Sequence, residues 1–275
     1  MLTNQFKINY SVGSIANGIK TDTFTFFLLF FYSNIIGLNP GLAGTAIFIA
    51  LCVDAFTDPL MGTISDRTNT SFGRRHPYMF ISFIPMSLGY IFLFAPRQDW
   101  DMSQSDLFVW MTIFTILTRI GMTLFDIPHR AFGGEITKNY NERTLLMSWR
   151  EMFAWVAGLS NAFLGYGVFF ASTPEFPQGQ LNPDAWFPFA LTGALIMIIS
   201  VLYSSITTKD EINSLSKWSG SIALGAILNE LKIALGNKSF LIFFFGNLFL
   251  SLAWGLANTL TLFVNTYFWE FEATQ

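Results

Sequence analysis

Two aspartates lie one helical turn apart inside an apolar stretch of the chain. Asp54 and Asp58, with Thr57 between them, would share one face of a helix and lie about 6 Å apart. Two like charges this close in a low-dielectric setting do not both ionise without a cation. The pair therefore either shares a proton or binds a hard, oxygen-seeking ion, and the spacing predicts a cation site.

Six further ionisable side chains fall inside apolar stretches, where they are costly and usually face a cavity or a partner. They are Lys20, Asp22, Arg119, Asp126, Arg150 and Glu151. We expect Asp126 at a depth similar to that of the aspartate pair. Thr123, three residues earlier, shares its helix face. The hydroxyls of Thr57 and Thr123 would offer neutral oxygen atoms to the cation.

A structural interpretation of these charges stays open, in which acids and bases pair only to hold helices together. Acids outnumber bases at this depth, which favours a cation site for the aspartate pair. For Glu151, next to Arg150, an ion pair is the expected role. Lys20 and Arg119 are open between contacting a substrate and balancing charge.

The composition places these residues in a membrane. Of 275 residues, 52% are hydrophobic and only 12% are charged, about half the charged fraction of a soluble domain. The chain also has 32 Phe, more than one water-soluble core of this length would hide. At about 20 apolar residues per spanning helix, the chain can form six or seven transmembrane helices, which excludes a soluble enzyme.

Apolar runs separated by turn residues predict an all-α, polytopic membrane protein with seven transmembrane helices. The runs are 10–36, 41–64, 77–95, 107–129, 145–171, 185–206 and 238–268. The break after the sixth run has an amphipathic pattern typical of a helix on the membrane surface. We therefore predict a six-helix bundle at 1–206, a cytoplasmic amphipathic linker at 207–237, and the first helix of a truncated second bundle at 238–275.

Lysine and arginine gather on alternate loops, which the positive-inside rule makes cytoplasmic. These residues are Lys7, Arg67, Arg74, Arg75, Lys138, Arg143, Lys209, Lys217, Lys232 and Lys238. The opposite loops carry Arg97 together with several acids. The pattern predicts a multi-pass protein of the plasma (inner) membrane with a cytoplasmic N-terminus.

The loop after the second run contains an Asp-Arg step and a Gly-Arg-Arg turn. Asp66 and Arg67 end one predicted helix, and Arg74 and Arg75 precede the next. We predict that these charges form an interhelical clasp that holds the cytoplasmic side shut in one state. Ordinary positive-inside topology would explain the arginines, but not the Asp-Arg step joined to the Gly-Arg-Arg turn.

The residue inventory gives little support to other function classes. The single cysteine, Cys52, excludes an internal disulfide, and only two histidines are present. With no metal-ligand cluster and no obvious catalytic apparatus, we expect no enzyme, no organic cofactor and no metal beyond a coupling cation. A net charge of −3 without a basic stripe sets nucleic acid aside as a partner. His129 could shuttle protons, although a lone histidine at a helix end is more often solvated or capping.

Taken together, the motifs resemble those of the glycoside-pentoside-hexuronide:cation symporters, the melibiose-permease-like group of the major facilitator superfamily. The motifs are Asp54-x-x-x-Asp58-Pro59-x-x-Gly62, Asp66-Arg67, Gly73-Arg74-Arg75-x-Pro77, Asp126-x-Pro128, and Glu142-Arg143 with Arg150. The resemblance implies a fold of two six-helix bundles with alternating access around a midplane site.

The resemblance also implies which residues act. The cation site would comprise Asp54, Thr57, Asp58 and Thr123. The sugar would contact Asp126 and Arg150, and we add Lys20 and Asp22 as candidates for substrate contact from the first span.

Three positions depart from the group's pattern. Thr57 stands where sodium-coupled members have Asn, which weakens the case for sodium over protons. The first-span acid of the group falls at Gly18, whereas this chain has Asp22 one turn later. Arg130 replaces an aromatic residue that stacks on sugar. It suits an acidic sugar, but we favour a simple charge at the cytoplasmic edge.

We therefore expect a cation-coupled secondary transporter of a sugar or glycoside, driven by Na⁺ or H⁺ and belonging to a longer transporter. Its partners would be the substrate and the bilayer, with a second polypeptide as a candidate source of the missing helices. The alternatives are a related facilitator of a lipid or an organic anion and, from another class, a seven-span receptor.

Overall fold

The computed structural model describes residues 2–209, 233 and 235–270, and these residues form helices and turns without any strand. The all-α prediction is confirmed for this part of the chain. Most of the predicted amphipathic linker at 207–237 lies outside the described residues. The linker therefore stays a prediction.

The first span is a series of short helical segments. Helix α1 (Asn4–Val12) and helix α2 (Ser14–Asp22) are followed by a π-helical turn (Thr23–Phe27), helix α3 (Leu28–Phe30) and a second π-helical turn (Phe31–Ile35). A π-helical turn interrupts the regular hydrogen-bond ladder, and such turns are frequent at functional sites. The first of them begins directly after Asp22.

The later spans are longer and more regular. They are formed by α4 (Pro40–Arg67), α5 (His76–Ile81), α6 (Phe83–Leu93), α7 (Gln104–Glu135), α8 (Tyr140–Leu164), α9 (Trp186–Thr207) and α10 (Lys238–Tyr267). Six stretches of the described chain are long and apolar enough to cross a membrane, with α5 and α6 counted together. The first predicted span corresponds to the segmented run from α1 to the second π-helical turn.

Side-chain caps begin the spans where the sequence has turn residues. Asn39 accepts a hydrogen bond from the backbone of Gly41 at 2.8 Å, and Pro40 occupies the first position of α4. Ser103 and Asp106 form a reciprocal capping box at the start of α7. Both arrangements satisfy backbone N–H groups that a helix start leaves unpaired. They fix where α4 and α7, the two helices of the predicted cation site, begin.

Glycines allow the helices to cross at close range. Helix α7 packs along both α4 and α6, and α2 packs along α8. A Cβ atom at Gly121 would lie 2.3 Å from the backbone nitrogen of Met86, and one at Gly18 would lie 2.0 Å from the carbonyl oxygen of Ala154. Small residues at such crossings are typical of membrane helices, which gain stability from close backbone packing. The α4–α7 packing positions the predicted cation site.

An aromatic cluster closes the end of the bundle opposite the Asp66–Arg75 loop. Trp186, at the start of α9, is fully buried, stacks on Phe94 and contacts the tilted ring of Phe170, with ring centroids 6.2 and 4.6 Å away. Phe30 and Phe31 of the first span complete the contact. Because aromatic pairs add stability beyond their buried area, this end of the bundle is firmly packed.

Candidate cation and substrate site

Helix α4 presents both predicted carboxylates to α7. Asp54 accepts a hydrogen bond from Arg119, and Asp58 accepts one from the hydroxyl of Thr123 at 2.7 Å. The second oxygen of Asp54, Oδ1, is buried and has no partner among the described residues. The hydroxyl of Thr57 faces the backbone carbonyl of Asp54 at 3.5 Å. The structure thus joins Asp58 to Thr123, whereas Asp54 pairs with Arg119 and Thr57 bonds to the backbone of its own helix.

The structural interpretation of the charges applies to one of the two acids. Arg119 forms an ion pair with Asp54 and is only 11% exposed, whereas Asp58 has a neutral hydroxyl as its partner. Arg119 therefore balances charge. Among the described residues, the arginine thus forms an ion pair with Asp54, and the carboxylate of Asp58 has a neutral hydrogen-bond partner. In the described residues, no group of three or more His, Cys, Asp or Glu side chains is arranged to hold a metal ion.

Lys20 shares an aromatic neighbour with Arg119. The ammonium of Lys20 lies 5.8 Å from the ring centre of Phe24, and the guanidinium of Arg119 lies 5.4 Å from it. Both distances allow a cation–π interaction. The charges of Asp54, Asp126 and Asp58 also act on Lys20.

Asp126 is held between two arginines. Arg150, from α8, is 1% exposed and pairs with one oxygen of Asp126, while Arg130 donates to the other oxygen at 2.6 Å. Arg150 also pairs with Glu151, as the sequence predicts. Arg130 is half-exposed and occupied by Asp126, in agreement with a charge at the edge of the bundle. The predicted sugar contacts Asp126 and Arg150 are therefore in direct contact with each other.

Asp22 lies apart from these clusters and has neutral partners. The side-chain amide of Asn161, on α8, donates to Asp22 at 3.0 Å and to the hydroxyl of Thr23 at 3.1 Å. The Thr23 hydroxyl is in turn hydrogen-bonded to that of Tyr90 at 2.7 Å. Sequence reasoning missed Asn161, although an asparagine within an apolar run is itself a signal of a buried polar contact.

A cavity of about 300 Å³ opens beside Asp22, between α2, α8 and α10. Its polar lining includes Asn17, Glu151 and Asn258, and the indoles of Trp155 and Trp254 border it. Polar groups converging among aromatic rings are typical of small-molecule sites. Of the predicted substrate contacts, Asp22 is the one that lines this cavity.

The close approach at Gly18 explains why the chain carries no acid there. We expect Gly18→Ala to destabilise the protein by about 1–3 kcal/mol, because its Cβ would meet the Ala154 backbone and overpack the crossing. Gly44→Ala is the matched control, since nothing lies within 4 Å of a Cβ at that helical glycine. Thermal unfolding in detergent measures both. Equal melting temperatures for the two variants would contradict the packing argument.

Three of the four residues of the predicted charge clasp form ion pairs, together with Glu135, which sequence reasoning missed. Arg75 is 2% exposed and donates to Asp66 at 2.7 Å and to Glu135 at 2.7 Å. Arg74 also pairs with Glu135, at the end of α7. Arg67 ends α4 directly after Asp66. These ion pairs join the ends of α4, α5 and α7 within one bundle.

Removing the charge of Glu135 tests how much the clasp contributes to the stability of the fold. Glu135→Gln should lower stability by about 1 kcal/mol for each lost charge-assisted hydrogen bond, because buried Arg75 would keep only Asp66 as an acidic partner. The control is Glu175→Gln, since Glu175 is exposed in a loop. The melting temperature should fall only in the Glu135 variant, and an unchanged value would show that the clasp contributes no stability.

Comparison with known proteins identifies a matching family and relatives that are symporters and transporters. Residues 9–275 match the family model of the MFS/sugar transport proteins. An uncharacterized symporter of Synechocystis is 31% identical over 211 residues, covering 74% of this chain and 37% of the relative. The isoprimeverose transporter of Lactiplantibacillus pentosus is 25% identical over 227 residues, covering 82% and 46%.

A zebrafish relative adds a different substrate class. The sodium-dependent lysophosphatidylcholine symporter 1-A of Danio rerio is 31% identical over 179 residues, covering 63% of this chain and 32% of the relative. The chain thus spans about a third to a half of the length of the relatives it matches. With its all-helical membrane fold and the match over residues 9–275, the chain belongs to the MFS/sugar transport family, in the melibiose-permease-like group of the major facilitator superfamily.

Proposed function

We propose that the chain forms part of a cation-coupled symporter that moves a sugar or glycoside by alternating access. The observation that carries the proposal is the α4–α7 arrangement of Asp54, Asp58 and Thr123, in which the carboxylate of Asp58 is bonded to a hydroxyl and only that of Asp54 is bonded to an arginine. Such a site suits Na⁺ or H⁺ as the coupling ion. The sugar-transport family model and the isoprimeverose transporter support a sugar as the substrate.

The substrate site is proposed at Asp126 and Arg150, with Lys20 and Asp22 as further contacts. Asp126 and Arg150 provide charged hydrogen-bonding groups, and the cavity beside Asp22 provides space and aromatic walls. Cation binding at Asp54 and Asp58 would reduce the negative charge that acts on Lys20 and so rearrange the substrate contacts. Sugar and cation would then bind cooperatively, each raising the affinity of the other by the same factor.

The clasp of Asp66, Arg67, Arg74 and Arg75 is proposed to act in gating. Its ion pairs fix the ends of α4, α5 and α7 relative to one another. Helices α4, α5 and α7 would then move as one body when the cytoplasmic side opens, as in rigid-body rearrangements of packed helices. We place these ends and the N-terminus on the cytoplasmic side of the plasma (inner) membrane, because basic residues gather there.

Transport is a property of the complete transporter. The relatives are two to three times as long as the region they share with this chain. We therefore propose that a second helical bundle, in the same polypeptide or in a partner, supplies the other side of the substrate site. The remaining helices of that bundle would pack next to α10, its first helix, which already contributes Trp254 and Asn258 to the cavity beside Asp22.

A lipid is the second candidate substrate, favoured by the match to the lysophosphatidylcholine symporter. Stabilisation by added ligand separates the two candidate substrates. The complete polypeptide that contains these 275 residues would be purified, and its melting temperature measured with a panel of mono- and disaccharides or with glycerophosphocholine, each with and without NaCl. Stabilisation by sugars that grows with the cation would support the sugar proposal. Stabilisation by glycerophosphocholine alone would overturn it.

A further inference from the structure

Arg119 occupies the place where a coupling cation would act. We propose that this arginine is a tethered counter-ion that competes with the coupling cation for Asp54 and thereby sets the cation concentration the transporter requires. The inference rests on the proposed symport function and adds a residue that determines its ion dependence.

A single hydrogen bond joins Arg119 to Asp54. A single guanidinium nitrogen of Arg119 donates to one oxygen of Asp54. The other oxygen of Asp54 and the Nε of Arg119 are both buried without a hydrogen-bond partner among the described residues. An arginine held firmly by a carboxylate usually uses two parallel hydrogen bonds. The single attachment leaves a carboxylate oxygen available to a second cation.

Phe24 gives the guanidinium a second favourable neighbour besides Asp54. Its ring centre lies 5.4 Å from the Cζ of Arg119, within the range of cation–π contact. Phe24 belongs to the first π-helical turn, directly after α2. When a cation binds Asp54, the guanidinium can therefore leave the carboxylate and keep a stabilising neighbour.

The local charges favour one monovalent cation. Asp54 and Asp58 on α4 carry two negative charges, and Arg119 on α7 neutralises one of them. Lys20 on α2 carries a positive charge on which both aspartates and Asp126 act. A single Na⁺ or H⁺ would supply a counter-charge directly at the carboxylate that Arg119 leaves without an ion pair. A variant without Arg119 would leave two negative charges for the cation and so bind it more tightly.

The test is the cation dependence of uptake by the complete polypeptide in proteoliposomes. Uptake of a radiolabelled accepted sugar is measured against NaCl concentration and, in sodium-free buffer, against pH. Arg119→Gln should lower the half-saturating concentration of Na⁺ or H⁺ roughly tenfold, the effect of removing one competing charge at this distance. Arg97→Gln is the control, because Arg97 is 62% exposed and pairs only with exposed acids.

Free guanidinium distinguishes competition from a structural role. In Arg119→Ala, guanidinium chloride should raise the half-saturating cation concentration again, whereas tetramethylammonium chloride at the same concentration should not. A half-saturating concentration that is unchanged or raised in Arg119→Gln, or a lack of any guanidinium effect, would overturn the inference.

A third variant tests the inference if the two neutral variants do not fold. If neither neutral variant is recovered from membranes, Arg119→Lys is used, because its shorter side chain should compete less well for Asp54. It should lower the half-saturating concentration by a smaller factor, and an unchanged or raised value would again overturn the inference. Cation-independent accumulation by the unmodified protein would instead refute the proposed function.

Discussion

Replacement of Asp58 with Asn should abolish cation-driven accumulation while leaving the fold intact. Asn has nearly the same shape and can still accept the hydrogen bond that Thr123 donates at 2.7 Å. It removes the one carboxylate of the pair that no arginine neutralises. The cation would then face only Asp54, which Arg119 already balances. We expect the cation affinity to fall by about 100-fold, the loss of about 3 kcal/mol of binding, and accumulation to fall to the level reached without a gradient.

The measurement separates coupling from substrate binding. Accumulation in proteoliposomes under an imposed Na⁺ or H⁺ gradient should be lost, while downhill counterflow of labelled substrate continues at a reduced rate. Asp99→Asn is the control, since Asp99 is 69% exposed and lies in a loop distant from the pair. Intact gradient-driven accumulation of every accepted substrate in Asp58→Asn would show that the cation-site assignment is wrong.

The parts of this site that could be predicted from sequence depend on local periodicity. Asp54 and Asp58 had to share a helix face because they are four residues apart, and Thr123 had to share the face of Asp126. The spans could be located because bilayer thickness sets their length. Helix α7 extends beyond its predicted run at both ends, because a capping box and polar residues continue the helix outside the apolar region.

The partners between helices could not be predicted in the same way. Arg119 pairs with Asp54, and Glu135 joins the clasp. Both pairings depend on the relative rotation and depth of neighbouring helices. No local pattern encodes those quantities. The π-helical turns after Asp22 were missed for a related reason, since the apolar run around them has the composition of an ordinary helix.

His129 shows how a general expectation about one residue type can be wrong. We expected a solvated or capping histidine at a helix end. The structure buries it completely, stacked between Tyr10 and Phe125 at ring-centre distances of 4.1 and 4.8 Å. Its Nε2 is hydrogen-bonded to the backbone carbonyl of Tyr10 at 3.0 Å. The residue joins α1 to α7, and its burial depends on Tyr10, which is distant in the sequence, as well as on Phe125, one turn earlier in α7.

Replacement of Arg150 with Gln should reduce both stability and substrate binding. Arg150 is 1% exposed and joins Asp126 to Glu151. Its loss leaves Asp126 with only half-exposed Arg130 as a charged partner. Breaking a buried ion pair from one side typically costs about 3–5 kcal/mol, because the remaining charge is left uncompensated. Arg97→Gln, which removes only exposed pairs, should change stability by less than about 1 kcal/mol.

A double variant separates the two roles of Arg150. Adding Asp126→Asn to Arg150→Gln removes the carboxylate that has lost its buried partner and keeps only half-exposed Arg130, so we expect the melting temperature to recover most of its loss. Substrate-dependent stabilisation should not recover, because both proposed sugar contacts have lost their charge. Recovery of stability together with substrate binding would show that the pair is a structural ion pair alone. Failure of the double variant to recover stability would show instead that the Arg150 side chain supports the fold by packing against the helices next to α8, and not through its ion pair with Asp126.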